Sequence, residues 1–496
     1  MKKRRSLYSC GVLIAVFIVC IVAGSCGKNY YFAGRTLPPS GVLNRVLVAE
    51  QNPSAFSTGS LPFLDAYYDI RHAHNAAGGQ FEISGYSGHL PLSIQNLPEE
   101  QAGAVYNAAD GSLSLVGYGA EKVSATVSGG GVSSAEGSPY NGIFISRDLN
   151  YVYAANPSAH VITVVNRSGS GGGASVALNV ANAYGISVNP GGTVALVFIQ
   201  NTTQAPNHTV NVDTPNSFAV YSVVQLNATQ QAAAVNNPNY LGAQDCQPLK
   251  LPTWCVFPVS TGPNASFDHP IKAVFSPDGS TAYVVNCGPE CGGTTASLTT
   301  IPITASSLNS GSFGASGIAL VAQSNIPIPN GATNAVFNGN TLYVAGQKLQ
   351  SSGLFAGFLT VLNMPAGNIA GSYSIGDGIH NRMVFADDNT LWIGSSQCNA
   401  GVRFQQAQAG KNVPYGCITM FDTSKNTATV NAYQGDGTGI AAITGLHKVY
   451  TTEGGQIYIY KTPTMAALDN TNVTIAGTAI DVAYMDATSD ANNTNY

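Results

Sequence analysis

The feature that most constrains this chain is a strand–turn–strand unit that recurs along most of its length. In Lys272–Cys291, two short runs of β-branched and aromatic residues, AVF and AYVV, flank the turn sequence SPDGS. Asp-Gly supplies the positive φ angles that a tight hairpin requires, so the segment predicts two antiparallel strands. Because an isolated hairpin is only marginally stable in water, this one must belong to a larger sheet.

Six further segments repeat the pattern with Gly-Gly, Asn-Gly, Asp-Asn or looser turn sequences. They are Gly185–Phe198, Asn334–Gly346, Arg382–Ser396, Asn141–Asn156, Gly439–Gly455 and, most faintly, Pro91–Asn107. Most copies are followed by one or two more strand-like runs, such as HVITVVNRS and QIYIYKTP. Four short strands per unit, repeated along a chain, are typical of a β-propeller, so we expect an all-β fold with one blade per unit.

The two ends of the chain predict how the ring closes. Asn44–Pro53 looks like a second strand that lacks its first, and Gly477–Asp486 looks like a first strand that lacks its second. Pairing them would complete one blade from both termini and remove two exposed strand edges. Seven internal units and this shared unit give a single β-propeller of eight blades. Seven blades is the alternative, because the Pro91 unit is weak enough to be a decorated loop.

These units resemble the Tyr-Val-Thr-Asn (YVTN) type of propeller repeat and, more loosely, the lactonase-type propellers. The resemblance covers residues 41–490, and the whole chain is similar to bacterial cell-envelope lipoprotein propellers, most of which have no assigned function. The resemblance implies blade architecture and little chemistry, because no motif matches the lactonase-type catalytic residues one by one. We find no zinc-protease, nucleophile-elbow, Walker or dinucleotide-binding motif either, and expect no cofactor.

The N-terminus predicts export. A basic start, MKKRR, precedes the apolar segment Gly11–Gly24, which has signal-peptide length and is shorter than a membrane span. The sequence AGSC then ends at Cys26 and resembles a lipoprotein cleavage box, which implies a lipid on the Cys26 thiol. An ordinary signal peptide or an uncleaved anchor is the alternative. The expected organisation is a signal peptide (1–25), a tether (26–40), the propeller (41–490) and a disordered tail (491–496).

The composition of the chain limits the classes of molecule that it is expected to bind. Charged residues make up 9% of the chain, against about 25% in a typical soluble protein. No cluster of Lys and Arg follows the N-terminal segment, so nucleic acid is disfavoured as a partner, because neutralising phosphates needs clustered basic residues. We expect a monomer in the bacterial cell envelope, in the periplasm or at the cell surface, held to a membrane by its N-terminal lipid.

Six cysteines follow the predicted signal segment and Cys26, and they fall into three pairs that are close in sequence. The pairs are Cys246–Cys255, Cys287–Cys291 and Cys398–Cys417. In an exported protein, such pairs favour local disulfides. The alternative is a zinc site formed by the first four cysteines, although their spacings do not match the usual C-x2-C pairs. His72 and His74 have the spacing of a metal-binding pair, but no third ligand accompanies them.

Two sets of residues are candidates for binding. The first lies in the two largest loops, whose aromatic residues and amides suit sugars or protein surfaces. Its members are Trp254, Tyr240, Phe404 and Tyr415. The second lies just before or within the first strands of three consecutive units, which should face the ring axis. Its members are His269, Lys272, Asn334, His380 and Arg382. Converging cationic side chains would favour an anionic ligand, whereas the simpler interpretation is a polar channel lining satisfied by water.

The sequence therefore predicts an envelope-anchored β-propeller that acts as a binding module for an envelope protein, a glycan or a small ligand. An enzyme is the less favoured prediction. It would be a hydrolase of a lactone or sugar-derived substrate, with its site in the central channel.

Overall fold

Eight β-sheets surround a common axis in the computed structural model, and each sheet is one blade of a β-propeller. The structure describes residues 37–52, 58–71, 81–97, 100–109, 112–128, 143–145, 151–156, 161–166, 175–180, 182–189, 194–201, 217–226, 230, 232, 243–248, 253–303, 320–473 and 475–487. The expected signal peptide, Cys26, most of the tether and the expected tail lie outside these residues. None of the helices in the described part of the chain has the length and hydropathy of a membrane span.

Each blade has its first strand nearest the axis, and the following strands run antiparallel outward. Blade 1 contains β1 (Arg45–Asn52), β2 (Thr58–Ser60), β3 (Phe63–Asp65) and β34 (Thr478–Tyr484). Blade 2 contains β4 (Pro91–Leu97), β5 (Ala102–Asn107), β6 (Ser112–Gly117) and β7 (Lys122–Ser128). Blade 3 contains β8 (Ile143–Ile145), β9 (Tyr151–Asn156), β10 (Val161–Asn166) and β11 (Ser175–Asn179).

Blades 4 and 5 each carry a fifth, outer strand that the repeat pattern does not predict. Blade 4 contains β12 (Ala183–Val188), β13 (Val194–Asn201), β14 (Ser217–Gln225), β16 (Thr253–Pro258) and the outer strand β15 (Asp245–Pro248). Blade 5 contains β18 (Pro270–Phe275), β19 (Thr281–Asn286), β20 (Ser297–Pro302), β21 (Val321–Pro327) and the outer strand β17 (Ser260–Asn264), which pairs in parallel with β21.

The last three blades follow the four-stranded pattern. Blade 6 contains β22 (Asn334–Asn338), β23 (Thr341–Leu349), β24 (Phe355–Asn363) and β25 (Asn368–Ser374). Blade 7 contains β26 (Ile379–Ala386), β27 (Thr390–Ser396), β28 (Ile418–Asp422) and β29 (Thr427–Val430), with helix α1 (Val402–Gln408) in its central loop. Blade 8 contains β30 (Gly437–Ile443), β31 (Lys448–Glu453), β32 (Gln456–Lys461) and β33 (Ala466–Val473).

The predicted hairpin turns are confirmed at those first-to-second strand connections that the structure describes in full, in blades 5 to 8. In blade 5 the Asp278 carboxylate accepts hydrogen bonds from the Ser276 hydroxyl at 2.6 Å and the Ser280 amide at 3.0 Å, while Gly279 takes a φ of 69°. This arrangement lets the chain reverse within a few residues, because glycine adopts the left-handed region without steric cost. The Pro91 unit, the faintest in the sequence, forms a complete four-stranded blade, so the count of eight is confirmed.

Apolar side chains fill the spaces between neighbouring blades. Trp254 of blade 4 is fully buried and makes edge-to-face contacts with Tyr151 and Tyr153 of blade 3, at ring-centroid distances of 5.2 Å and 5.4 Å. Such aromatic pairs add stability beyond the burial of their surface. Equivalent clusters join the other neighbouring blades, for example blades 5 and 6, so no blade buries its apolar surface alone.

The ring closes through antiparallel pairing of β1 with β34, as predicted. Val46 lies opposite Tyr484, and the pairing continues to Gln51 opposite Thr478. First strands begin at one face of the ring, here called the upper face, and end at the lower face. The loops between second and third strands lie on the upper face, whereas the described chain begins at the lower face, because β1 starts beside the end of β34.

A buried ion network fastens this closure at the lower face. The Arg45 guanidinium donates to both carboxylate oxygens of Asp486, at 3.0 Å and 2.6 Å, and to Glu121 of blade 2 at 3.0 Å. The side chains of Arg45 and Asp486 are each 1% exposed. A guanidinium this deeply buried needs several acceptors to offset its lost hydration, and it has them, including the Tyr118 carbonyl at 2.7 Å.

Three disulfides join the expected cysteine pairs, with S–S distances of 2.03, 1.99 and 1.97 Å in chain order. Cys246 and Cys255 lie directly opposite each other on β15 and β16, so this bond holds the fifth strand of blade 4 to its sheet. The other two close upper-face loops. These pairings leave none of the four cysteines of the alternative zinc site as a thiolate ligand.

We predict that Arg45→Met lowers the free energy of unfolding by about 3–5 kcal/mol, because it leaves two buried carboxylates without their partner. Urea titration followed by the fluorescence of Trp254 and Trp392, both fully buried, would measure the loss. Lys425→Met is the control, since this exposed lysine pairs with Asp422 at the surface and should contribute less than about 1 kcal/mol. An Arg45→Met loss no larger than the control would show that closure does not depend on the network.

Candidate functional site

The first strands share an irregularity near their upper ends that sets which side chains face the axis. In six blades the pairing of the first and second strands skips one residue, a β-bulge that redirects the side chains following it. The residues that follow the skipped position are Ser93, Gly185, Lys272, Arg382, Gly439 and Asp481. Asn334 of blade 6 is equivalent to Lys272 and Arg382. It pairs with Ala345, which occupies the same position in its second strand as the partners of Lys272 and Arg382 do in theirs.

The side chains of Lys272 and Asn334, two of the channel candidates, contact each other. The Lys272 ammonium donates to the Asn334 side-chain oxygen at 2.8 Å. Burial lowers the pKa of Lys272 to about 8, and the positive charge of Arg382 acts in the same direction. Lys272 has no carboxylate partner among the ion pairs of the described residues.

Arg382 crosses from blade 7 to blade 1 and pairs with Asp481 at 2.5 Å. The same Asp481 oxygen accepts from the backbone amide of Ile94 in blade 2 at 2.8 Å. Burial raises the pKa of Asp481, and Arg382 opposes the rise. Blade 8 contributes only Gly439 at this level, where a Cβ atom would lie 2.6 Å from Asp481 Oδ1. The missing side chain therefore leaves room for this ion pair.

The two histidines among the channel candidates do not join this group. His380 is 2% exposed, and its Nε2–H donates to the Gly376 carbonyl at 3.0 Å, because a carbonyl can only accept. Burial lowers the pKa of His380 to about 4, so the ring is neutral near pH 7. His269 instead lies 2.7 Å from Asp268 and packs on the Phe218 ring, with a centroid distance of 3.9 Å.

A cavity of about 490 Å³ opens on the upper face, where blades 7, 8 and 1 meet. Its lining includes Thr438 and Ile480, the bulged residues of the first strands β30 and β34, so the cavity adjoins the upper end of the channel. Its lining combines amides, one carboxylate, hydroxyls and backbone. The lining residues are Gln397, Asn399, Tyr433, Gly435, Asp436, Thr438, Gly454, Gly455, Thr478, Ala479 and Ile480.

A row of three aromatic side chains leads to this cavity. Phe404 on α1 packs edge-to-face against Tyr415, with ring centroids 5.3 Å apart. Tyr415 in turn stacks on Tyr433, with centroids 5.7 Å apart and ring planes 22° apart. Tyr433 is 42% exposed and lines the cavity. The Cys398–Cys417 disulfide closes the loop that carries Phe404 and Tyr415, so it fixes two of the three rings relative to blade 7.

The loop candidates from the sequence have different outcomes. Phe404 and Tyr415 are half-buried members of the aromatic row, whereas Tyr240 lies outside the described residues, as do His72 and His74. Trp254 is fully buried in β16, so the expectation that it is an exposed contact is wrong. Its segment forms a blade strand held by the Cys246–Cys255 bond. The described His, Cys, Asp and Glu side chains form no group of three or more that could hold a metal ion.

Sequence reasoning missed Tyr433, which completes the aromatic row. Tyr433 lies in the connection between blades 7 and 8, in the sequence NAYQGDG, and its only signal was an aromatic residue among turn residues. Asp436 was also missed. Its carboxylate accepts a hydrogen bond from the backbone N–H of Gln397 at 2.9 Å, which joins the two upper-face loops that form the cavity wall.

No family model matches this chain, and no curated protein matches it in sequence. Among solved structures, it is similar to dihydro-heme d1 dehydrogenase NirN in complex with DHE, with a TM-score of 0.52 and 11% identity over 90% of this chain and 75% of that chain. Weaker similarities include Citrobacter koseri AztD (TM-score 0.45, 11% identity, 89% and 97% of the two chains) and Kuenenia stuttgartiensis hydrazine synthase (0.46, 14%, 77% and 99%). At such identities the similarity to NirN supports the propeller fold alone.

We predict that the wild-type protein loses up to about 3 kcal/mol of stability between pH 6.5 and pH 4 through His380. The folded-state pKa of about 4 lies below the ordinary value of 6.5, so on acidification the unfolded chain binds a proton that the folded chain does not. His380→Gln should remove this part of the pH dependence, as measured by urea titrations at several pH values. His89→Gln, at an exposed position, should retain it. An equally steep loss in His380→Gln would contradict a neutral buried imidazole.

Proposed function

We propose that this chain is an exported β-propeller binding module, and that its upper-face cavity binds a saccharide. The observation that carries the proposal is the half-exposed Tyr433 ring, which lines a cavity of about 490 Å³ together with amide and carboxylate groups. Ligand pockets of about 300–1,000 Å³ commonly combine an apolar surface with a few polar groups that orient the ligand. The cavity has both features.

The chemistry of the lining fits a hydroxyl-rich ligand. A sugar ring presents an apolar C–H face, which can pack on an aromatic side chain such as Tyr433. Its hydroxyl groups both donate and accept hydrogen bonds, so they suit the amides of Gln397 and Asn399, the carboxylate of Asp436 and the exposed backbone beside Gly454. The aromatic row beyond Tyr433 offers further apolar surface for a longer chain.

The same lining favours binding over hydrolysis. Glycoside hydrolysis usually requires two carboxyl groups on opposite sides of the bond that breaks. Asp436 is the one carboxylate among the residues that line the cavity. The alternative of a lactone hydrolase in the channel gains no support from His380, whose ring is buried and bonded to a carbonyl.

Export and anchoring complete the proposal. Three local disulfides are typical of a protein that folds in an oxidising compartment. We propose that a lipid on Cys26 holds the protein at the envelope membrane. The described chain begins at the lower face, and the eleven residues from Cys26 to Thr36 span at most about 40 Å, so the tether would keep that face toward the membrane and the cavity on the opposite face.

We predict that cells expressing the full chain incorporate radiolabelled palmitate into the protein and that Cys26→Ser abolishes the label, because the lipid would be attached to this thiol. Cys20→Ser is the matched control, since Cys20 lies in the segment expected to be cleaved. Labelled protein recovered from the Cys26→Ser strain would exclude lipidation at this site.

We predict that the protein binds at least one of cellohexaose, chitohexaose and maltohexaose in calorimetric titrations. Tyr433→Ala should weaken binding about fivefold to tenfold, because it removes the stacking surface. Tyr67→Ala is the control, since Tyr67 is 60% exposed at the lower face and should leave the affinity unchanged. Absence of binding to all three oligosaccharides, or equal affinity of the Tyr433→Ala protein, would contradict the proposal.

A further inference from the structure

The first strands, as far as the structure describes them, carry one positive charge that no carboxylate balances. The eight first strands contain three residues that are charged at neutral pH, namely Lys272, Arg382 and Asp481. Their one further titratable imidazole, that of His380, is neutral. Arg382 and Asp481 neutralise each other. Lys272 remains, and its only hydrogen-bond partner among the described residues is the uncharged Asn334. Lys272 is half-buried, and a charge that is removed from water is costly unless it is paired, so a lysine at this position needs a reason.

Lys272 and its neighbours carry hydrogen-bond donors that no described residue uses. Asn334 Oδ1 accepts from both Lys272 and the Ala335 amide, so the Asn334 NH₂ group points elsewhere and donates to no group in the described part of the chain. Arg382 donates a hydrogen bond from Nε to the Thr438 carbonyl and another from Nη2 to Asp481. Its Nη1 donates to no group among the described residues. Lys272 retains two N–H groups. Three consecutive blades therefore present unused donors at one level of the axis.

Three other blades have small side chains at the same level of the axis. Blade 4 places Gly185 at the position equivalent to Lys272, blade 8 places Gly439 there, and blade 2 places Ser93. The Arg382–Asp481 pair takes up the room that Gly439 leaves in blade 8, whereas the small residues of blades 4 and 2 place no large side chain beside the donors. The donors and these small neighbours together match an oxygen-rich anion, since an oxyanion accepts hydrogen bonds from several directions.

We propose that the channel binds an oxyanion, the carboxylate, phosphate or sulfate group of a small ligand, between Lys272, Asn334 and Arg382. This site lies on the axis and is distinct from the upper-face cavity. Its ligand would supply the negative charge that the first strands lack, in a position where limited hydration strengthens charge–charge attraction.

The ammonium form of Lys272 makes the site pH-dependent. Its pKa of about 8 means that the positive charge is present below pH 8 and lost above it. The titratable or charged groups on neighbouring first strands are Tyr184, which donates to the Pro270 carbonyl, and the Arg382–Asp481 pair across the channel. The guanidinium keeps its charge to much higher pH, so Lys272 governs the change between neutral and alkaline solution.

Sulfate is the first probe, because its charge is constant between pH 6.5 and pH 9.5. Calorimetric titration of the full mature chain at low ionic strength should detect binding at pH 6.5 and at least about tenfold weaker binding at pH 9.5. Lys272→Met should weaken binding at pH 6.5 at least about tenfold, as expected for loss of a hydrogen bond to a charged group. Lys348→Met, at an exposed lysine on β23, is the matched control and should bind like the wild type. Parallel titrations with acetate and inorganic phosphate would identify the preferred oxyanion.

Asn334→Asp provides a second test that does not depend on tolerance of the Lys272 substitution. It preserves the size of the side chain and places a carboxylate beside Lys272, so it should abolish sulfate binding while thermal unfolding shows an intact fold. The proposal is overturned if none of the three anions binds the wild type. It is equally overturned if Lys272→Met and Asn334→Asp, both folded, bind sulfate as the wild type does.

Discussion

The pairing of β1 with β34 is the constraint on which the rest of the molecule depends. Each blade buries its apolar surface only against its two neighbours, so a ring with one gap would leave two blades half exposed. The chain solves this by building blade 1 from both termini and by placing Arg45, Asp486 and Glu121 in one buried network at the seam. The network reaches blade 2 as well as both ends of the chain. Closure thus fixes the positions of the first strands, and with them every group on the axis.

Much of this fold could be predicted because the repeated signal is local. Alternating apolar runs around Asp-Gly, Asn-Gly and Gly-Gly turns identify hairpins without knowledge of distant contacts. The Pro91 unit was faint because its turn, between β4 and β5, lacks such a pair. The fifth strands β15 and β17 could not be predicted, since they lie outside the repeat and pair at blade edges. Trp254 was mistaken for a loop residue because its burial depends on a distant contact. The tyrosines of blade 3 that cover it lie about a hundred residues earlier in the chain.

The candidate site was predictable only in part, and β-strand geometry explains which part. Lys272, Asn334 and Arg382 occupy the same position in three aligned units, so their convergence follows from the repeat. His380 lies two residues before Arg382, which in a regular strand would place it on the same face. The bulge at Asn381 breaks that alternation and turns the imidazole toward the blade 6 side of the sheet. The cavity was not predictable, because its walls come from separate loops of blades 7, 8 and 1.

Because charged residues make up only 9% of this chain, each charged side chain on the axis has a large effect on the charge distribution in the channel. The Arg382–Asp481 pair spans blade 8 and is possible only because Gly439 has no side chain, so one glycine decides how charge is distributed in the channel. The same guanidinium donates to the carbonyl of Thr438, a residue that lines the upper-face cavity. The two proposed sites therefore share Arg382 as a structural neighbour while using different chemistry, uncharged stacking at the mouth and charge deeper on the axis. A ligand that carried both a sugar ring and an anionic group would meet both environments in that order.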